Sequence, residues 1–86
     1  MIVKDADMLD AIGAIGIARA FTYGGGHDRS IYDSDDATNT VQHFHDKLFK
    51  LKDLMQTKTA REIAAQRDAF MHEFLDRLMQ EFSGKQ

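Results

Sequence analysis

Cysteine is absent from the 86 residues, so the chain can build neither a disulfide framework nor a thiolate metal site, and the common structural zinc arrangements are excluded. Proline is absent too, which leaves glycine and polar caps to end the helices. No apolar run approaches the roughly 20 residues of a membrane span. Lys4 is followed at once by acidic residues where a secretion signal needs an apolar stretch, so a cytoplasmic location is expected. Basic residues are in the minority, 11 against 14 acidic ones for a formal net charge of -3. That balance argues against a broad nucleic-acid surface and leaves room for a local cationic patch. Neither an internal repeat nor a low-complexity segment is present. One small domain is the ceiling, and a chain this short buries only about 60 to 65 per cent of its unfolded surface, so partners often supply the remaining cover.

The most apolar stretch is Asp5-Ala-Asp-Met-Leu-Asp-Ala-Ile-Gly-Ala-Ile-Gly-Ile-Ala-Arg19. Met8, Leu9, Ile12, Ile15 and Ile17 point around most of a helical circumference, which predicts a core helix from about residue 5 to 22. Ala11, Ala14 and Ala18 form a small-residue strip where other helices can approach. Gly13 and Gly16 each cost a helix about 1 kcal/mol relative to Ala, so close backbone packing is expected to outweigh the loss. Asp5 and Asp10 suit a helix start as caps or dipole partners. Asp7 is different, since beside Met8 and Leu9 its carboxylate is costly to desolvate unless a cation or donors meet it.

Met1-Ile-Val3 reads as a short apolar lead, and Gly24-Gly-Gly26 is expected to stop the first helix. A long polar loop, 23–39, follows, with Ile31-Tyr32 as an apolar island able to pin it. Asp33, Asp35 and Asp36 lack the glycine and terminal glutamate of a calcium-binding hand. Thr38 or Thr40 then caps a helix over about 40–55 whose apolar stripe is Val41, Phe44, Leu48, Leu51 and Met55. Thr59-Ala-Arg-Glu62 has the form of a capping box opening a third helix to about residue 82, ended by Ser83-Gly84. Its apolar side is Ile63, Phe70, Met71, Phe74, Leu75, Leu78 and Phe82. The fold class is therefore all-α, with three main helices and the last two forming an antiparallel hairpin against the first. His72, Met71 and Met79 read as core or rim residues of that last helix.

The stretch from Asp5 to Arg19 closely resembles the late core helix of bacterial HD-domain metal-dependent phosphohydrolases. Phe21-Thr-Tyr-Gly-Gly-Gly26, Ile31-Tyr-Asp33, His43-Phe-His-Asp-Lys-Leu48, Leu51-Lys-Asp-Leu-Met55 and Phe70-Met-His-Glu-Phe-Leu75 resemble the C-terminal half of that family, in the same order. The resemblance covers essentially the whole chain and implies part of an HD-type helical bundle. It also implies a divalent metal held by a His, a His-Asp pair and a distant Asp in an Ala-Asp-x-Leu context. Only the last maps here, onto Ala6-Asp7-Met8-Leu9, which makes Asp7 the metal ligand. The other ligands would precede Met1, so this chain resembles about half a domain, and no metal is expected to bind tightly to it alone.

His27-Asp28 and His45-Asp46 are literal His-Asp pairs, but both follow the Ala-Asp-x-Leu helix where the family's pair precedes it. Gly24-Gly-Gly26 lacks the following Lys-Ser or Lys-Thr of a Walker loop. His43 and Lys47 stand four apart on one helical face and could both donate to a phosphate oxygen, with Arg19 as a third donor. The alternative is structural: His43 partly buried, Lys47 solvated and Arg19 paired with a nearby carboxylate such as Asp10. The resemblance favours the anion-facing cluster without naming a substrate. Two function classes follow: part of a phosphohydrolase acting on a phosphate ester or nucleotide and inactive in isolation, or a non-catalytic fragment that self-associates or meets a missing N-terminal half. For the second, a homo-oligomer using Met8, Ile12, Ile15 and Ile17 is expected, because two companion helices cannot cover every face of the first.

Overall fold

The computed structural model describes residues 2–84, with side chains from Asp5 onward. It is all-α. Helices α1 (Ile2–Leu9), α2 (Gly13–Gly26), α3 (Thr40–Asp46) and α4 (Lys58–Phe82) are joined by a 3-10 helix, Leu48–Leu54, between α3 and α4. At 1.5 Å per residue the 25 residues of α4 rise about 37 Å. That length is close to the longest extent of the molecule, 40 Å. Against α4 lie α1, α2 and the 3-10 helix, while α3 touches α2 and the 3-10 helix.

The expected single helix over 5–22 is two helices, and Ile2 and Val3 belong to the first of them. Met1 lies outside the described residues. Hydrogen bonding tightens at the end of α1, with Ala11 N donating to Met8 O at 3.0 Å and Ile12 N to Leu9 O at 3.3 Å. Ile12 is then extended and Gly13 takes a φ of +76°. Only glycine adopts that φ freely. A Cβ on Gly13 would stand 2.8 Å from Arg67 Cγ, and one on Gly16 would collide with the Ala11 carbonyl. Both glycines thus answer to close approach, as expected, but within and beside a kink. Arg67 also donates from Nη1 to Leu9 O at 2.6 Å, satisfying a carbonyl at the end of α1. The Ala14 and Ala18 strip faces outward.

Downstream, the stripe Val41, Phe44, Leu48, Leu51 and Met55 is buried throughout, although the backbone carrying it is not one helix. Lys47 departs from helical φ at -133° and the chain tightens into the 3-10 helix. Three residues per turn keep Leu48 and Leu51 on one side there. The α3 cap is neither Thr38 nor Thr40 but Asn39, whose side chain accepts from Gln42 N at 2.8 Å. Its amide donates back to Asp33 O and Asp36 O at 3.0 and 2.7 Å. The Asp33 and Asp36 carboxylates accept from Asp35 N and Thr38 N, so these acids shape the loop. Tyr32 packs on Phe82 with ring centroids 5.9 Å apart, pinning the loop. Glycines 24–26 do not stop α2 early; it runs through Gly26 and turns at His27 and Asp28, the latter at φ 56°.

α4 begins two residues sooner than the Thr59 capping box implied. Thr57 is its cap, with Oγ1 accepting from Ala60 N at 3.1 Å. Ahead of it, Asp5 reaches across from α1 and accepts from Gln56 N at 2.9 Å and Thr57 N at 3.0 Å. Asp5 is a cap, then, but at the start of α4 and not of its own helix. The buried face of α4 is Ala60, Ala64, Asp68, Met71 and Leu75, while Ile63, Phe70 and Phe82 of the expected apolar side are exposed. Asp68 is buried within that face; its Oδ2 meets Lys52 Nζ at 3.3 Å and His72 Nε2 at 3.2 Å. His72 in turn stacks on Phe49 at 3.8 Å, so this cluster ties the 3-10 helix to α4.

Candidate functional site

Phe44 is fully buried, with Phe21 of α2 at 5.7 Å and Phe49 at 6.0 Å between ring centroids. That contact fixes α3 against α2, and the polar residues beside it open onto a shared cleft of about 430 Å³. Arg19, Ala20 and Tyr23 come to the cleft from α2, His43 and Lys47 from α3 and its C-cap, and Arg29 from the loop. Leu48 and Leu51 of the 3-10 helix form its apolar wall. The three candidates Arg19, His43 and Lys47 therefore line one cavity. Arg29 joins them. The sequence offered no signal for Arg29, because nothing in a Gly- and Asp-rich loop says which way a single cation will fold.

The cleft is electropositive. None of its lining residues is acidic, and among the described residues Arg19, Arg29 and Lys47 form no ion pair with a carboxylate. Arg19 Nη1 donates at 3.1 Å to the backbone carbonyl of Asp10, not to its carboxylate, which leaves the rest of the fork free. The Arg29 guanidinium lies 5.5 Å from the Tyr23 ring centroid, and His27 stacks on the same ring at 3.9 Å. Burial, then the positive fields of Arg29 and Lys47, push His43 below the ordinary histidine range, with Asp46 opposing them. An uncharged imidazole among fixed cations is the resting arrangement at neutral pH. Tetrahedral oxyanions suit such a set, since each group can donate to oxygen and the low exposure of part of the wall strengthens the attraction.

Asp7 is exposed on α1, so its carboxylate bears no desolvation cost in this chain, contrary to the sequence-based reading. Among the described residues no three His, Asp or Glu side chains gather as a metal-ligand set. A lone exposed carboxylate does not make a divalent site, and the residues described here do not fit the metal without further ligands. The two His-Asp pairs have other occupations: His27 Nδ1 lies 2.9 Å from Tyr23 O, His45 meets the edge of Phe49 at 5.3 Å, and Asp46 accepts from Gln42 at 2.9 Å. Of the four residues expected at an interface, Ile12 and Ile17 are spent in the core at 0% and 8% exposure, and Met8 is partly buried. Ile15 is 50% exposed and stands with Phe70, 46% exposed, beside a groove of about 490 Å³ between α2 and α4. Among the described residues no helix is long and apolar enough to cross a membrane.

The fold is HD-like. An HD-superfamily hydrolase from Bacillus thuringiensis superposes with a TM-score of 0.89 at 47% identity, covering 94% of this chain and 44% of its own. The Lin1889 protein of Listeria innocua gives a TM-score of 0.91 at 51% identity, over 95% and 46%. In sequence, the uncharacterised protein YpgQ of Bacillus subtilis is 48% identical over 82 residues, 95% of this chain and 39% of YpgQ. YpgQ has also been solved in complex with ADP. The chain thus spans less than half the length of the relatives it matches. No protein-family model matches it.

Proposed function

We propose that this chain supplies the phosphate-recognising part of an HD-type, metal-dependent phosphohydrolase and is without turnover on its own. The convergence of Arg19, Arg29, His43 and Lys47 on one acid-free cleft carries the reading. Arg19 and Arg29 offer forked donors to phosphate oxygens, Lys47 a mobile point charge and His43 a ring N–H. Among the described residues Asp7 is the one candidate metal ligand, and a metal there would need further ligands from elsewhere. The ADP bound by Bacillus subtilis YpgQ has the chemistry such a cleft would take, a phosphate group on an organic carrier. The test is a titration of the 86-residue chain with ADP, followed by amide NMR shifts. Shifts confined to the residues around the cleft, weakened at least fivefold in Arg19→Gln and in Lys47→Gln, are expected. Shifts elsewhere, or none, would sink the assignment. Phosphatase turnover by the isolated chain, lost on chelation and in Asp7→Ala, would overturn the claim that it is inactive alone.

A second reading, non-catalytic association with another copy or a complementary half-domain, is favoured by the half-exposed Ile15 and Phe70 beside the α2–α4 groove. Sedimentation equilibrium decides it: a monomer at every concentration, or an oligomer indifferent to Ile15→Glu, removes that face from consideration.

A further inference from the structure

His43 stands where two cavities meet. The cationic cleft lies to one side; to the other is a smaller pocket of about 220 Å³ lined by Ala37, Thr38, Asn39 and Asp46, and both are bordered by Arg29 and His43. Every element around this ring contributes to its electrostatics. α2 brings Arg19 and Tyr23 to the cleft, the loop brings Arg29, α3 itself brings Asp46 and Lys47, and the 3-10 helix brings the uncharged Leu48 and Leu51. Three permanent cations therefore face one carboxylate across a half-buried imidazole. With the cleft empty, a proton on His43 would add a fourth positive charge to that set. Burial first, and then the repulsion of Arg29 and Lys47, disfavours that charge, with Asp46 opposing them.

A tetrahedral dianion seated among these groups cancels the positive field at the ring. The cations are then paired, two negative charges lie within the same cleft, and the imidazolium gains a charge-assisted hydrogen bond that the neutral ring can offer only weakly. We infer that the cleft takes up a proton from solvent when it captures an oxyanion dianion, and that His43 is the group that receives it. The inference rests on the reading of the cleft as a phosphate site and adds its regulation: capture is tighter in acid than in base. The proton binds the free ring nitrogen, no bond of the anion breaks, and the complex holds one positive charge more than its separate parts. By linkage, each unit by which anion binding raises the His43 pKa is a tenfold gain in affinity across the window between its free and bound values.

Sulfate is the probe, because it stays a dianion throughout the titration range of histidine and has no proton of its own to release. Ring-proton NMR of the wild-type chain, titrated with and without saturating sodium sulfate at matched ionic strength, follows His43 directly. Its midpoint is expected to rise by about one unit, with about tenfold tighter sulfate binding in acid than in base. Calorimetry in two buffers of different ionisation heat should register net proton uptake. His43→Gln should bind sulfate with little pH dependence, and Arg29→Gln should raise the His43 midpoint in the free chain. An unmoved His43 midpoint on sulfate saturation, or a full pH dependence surviving in His43→Gln, overturns the inference while leaving the cleft an anion site. Failure of the wild type to bind sulfate at any pH overturns both.

Discussion

Ile12 and Ile15 are three residues apart in the same apolar stretch, and the fold assigns them opposite duties. Ile12 closes the kink between α1 and α2 and is fully buried, whereas Ile15 is half exposed on α2. Ile12→Ala removes three carbons from the core, worth about 2.4 kcal/mol at roughly 0.8 kcal/mol per methylene. A cavity term adds to this wherever the neighbours cannot collapse, so the cost should be about 3 to 4 kcal/mol. Ile15→Ala removes the same atoms from a half-wet position and leaves no cavity, so about 1 kcal/mol is expected. For a chain of this size each kcal/mol lowers Tm by about 4 to 8 °C, so the first variant should melt more than 10 °C below the wild type. Urea unfolding followed by far-ultraviolet circular dichroism gives both values, with an unchanged slope required for the comparison. Equal losses in the two variants, or a loss under about 1 kcal/mol for Ile12→Ala, would refute the kinked packing and restore a single amphipathic helix.

Two further predictions concern the start of α4. Thr57→Ala should cost about 1 kcal/mol, because it deletes the acceptor of the Ala60 N–H, while Thr59→Ala should stay within about 0.5 kcal/mol; the reverse order in urea unfolding would reinstate the capping box. Asp5 should make the chain acid-sensitive. The backbone N–H of Gln56, helped by the N–H and hydroxyl of Thr57 and opposed by burial, holds its carboxyl below the ordinary range. The folded value being the lower one, this stability is fully present above the ordinary carboxyl pKa of about 4 and is lost as pH falls through the lowered value. The stability gap between wild type and Asp5→Asn should therefore be flat from neutral pH down to about 4 and narrow as pH falls further, closing below the lowered value, and a gap that persists in strong acid would remove Asp5 from the role.

Much of the fold was legible because burial writes a period into the chain. The stripe from Val41 to Met55 was read correctly even though the backbone changes from α to 3-10 partway, since spacings of three and four serve both helices. The kink was not legible. Gly13 signalled close packing, but whether a glycine serves close approach within a helix or a positive φ outside one depends on Arg67, 54 positions later, whose aliphatic stem and guanidinium complete the turn. The α4 face was misjudged as well: hydrophobicity favoured Ile63 and Phe70, yet these are exposed and Ala60 and Ala64 take the buried positions. Asp68 escaped notice because a carboxylate among apolar residues looks like a solvated rim until Lys52 and His72 arrive from two directions. In the site, His43 and Lys47 could be paired by helical spacing alone, and Arg19 joined them as a free donor, but Arg29 needed the loop's path.

The kink also bears on how the cleft communicates with Asp7. In an unbroken helix, residues 10 and 19 would be separated by a rise of about 13 Å, farther than an arginine side chain can return. Here Arg19 reaches the Asp10 carbonyl at 3.1 Å, because the chain turns at Ile12 and Gly13 and brings the end of α1 back beside α2. One guanidinium thus borders the cationic cleft and holds the backbone three residues beyond the proposed metal ligand. Arg67 grips the adjacent carbonyl of Leu9 from α4, so the segment following Asp7 is held from two sides by cations whose own helices pack together. In the proposed role of Asp7, a carboxylate that meets ligands from elsewhere would need a fixed bearing more than burial. The sequence supplies that bearing by spending two arginines and two glycines on a turn of three residues, and by leaving Asp7 itself exposed.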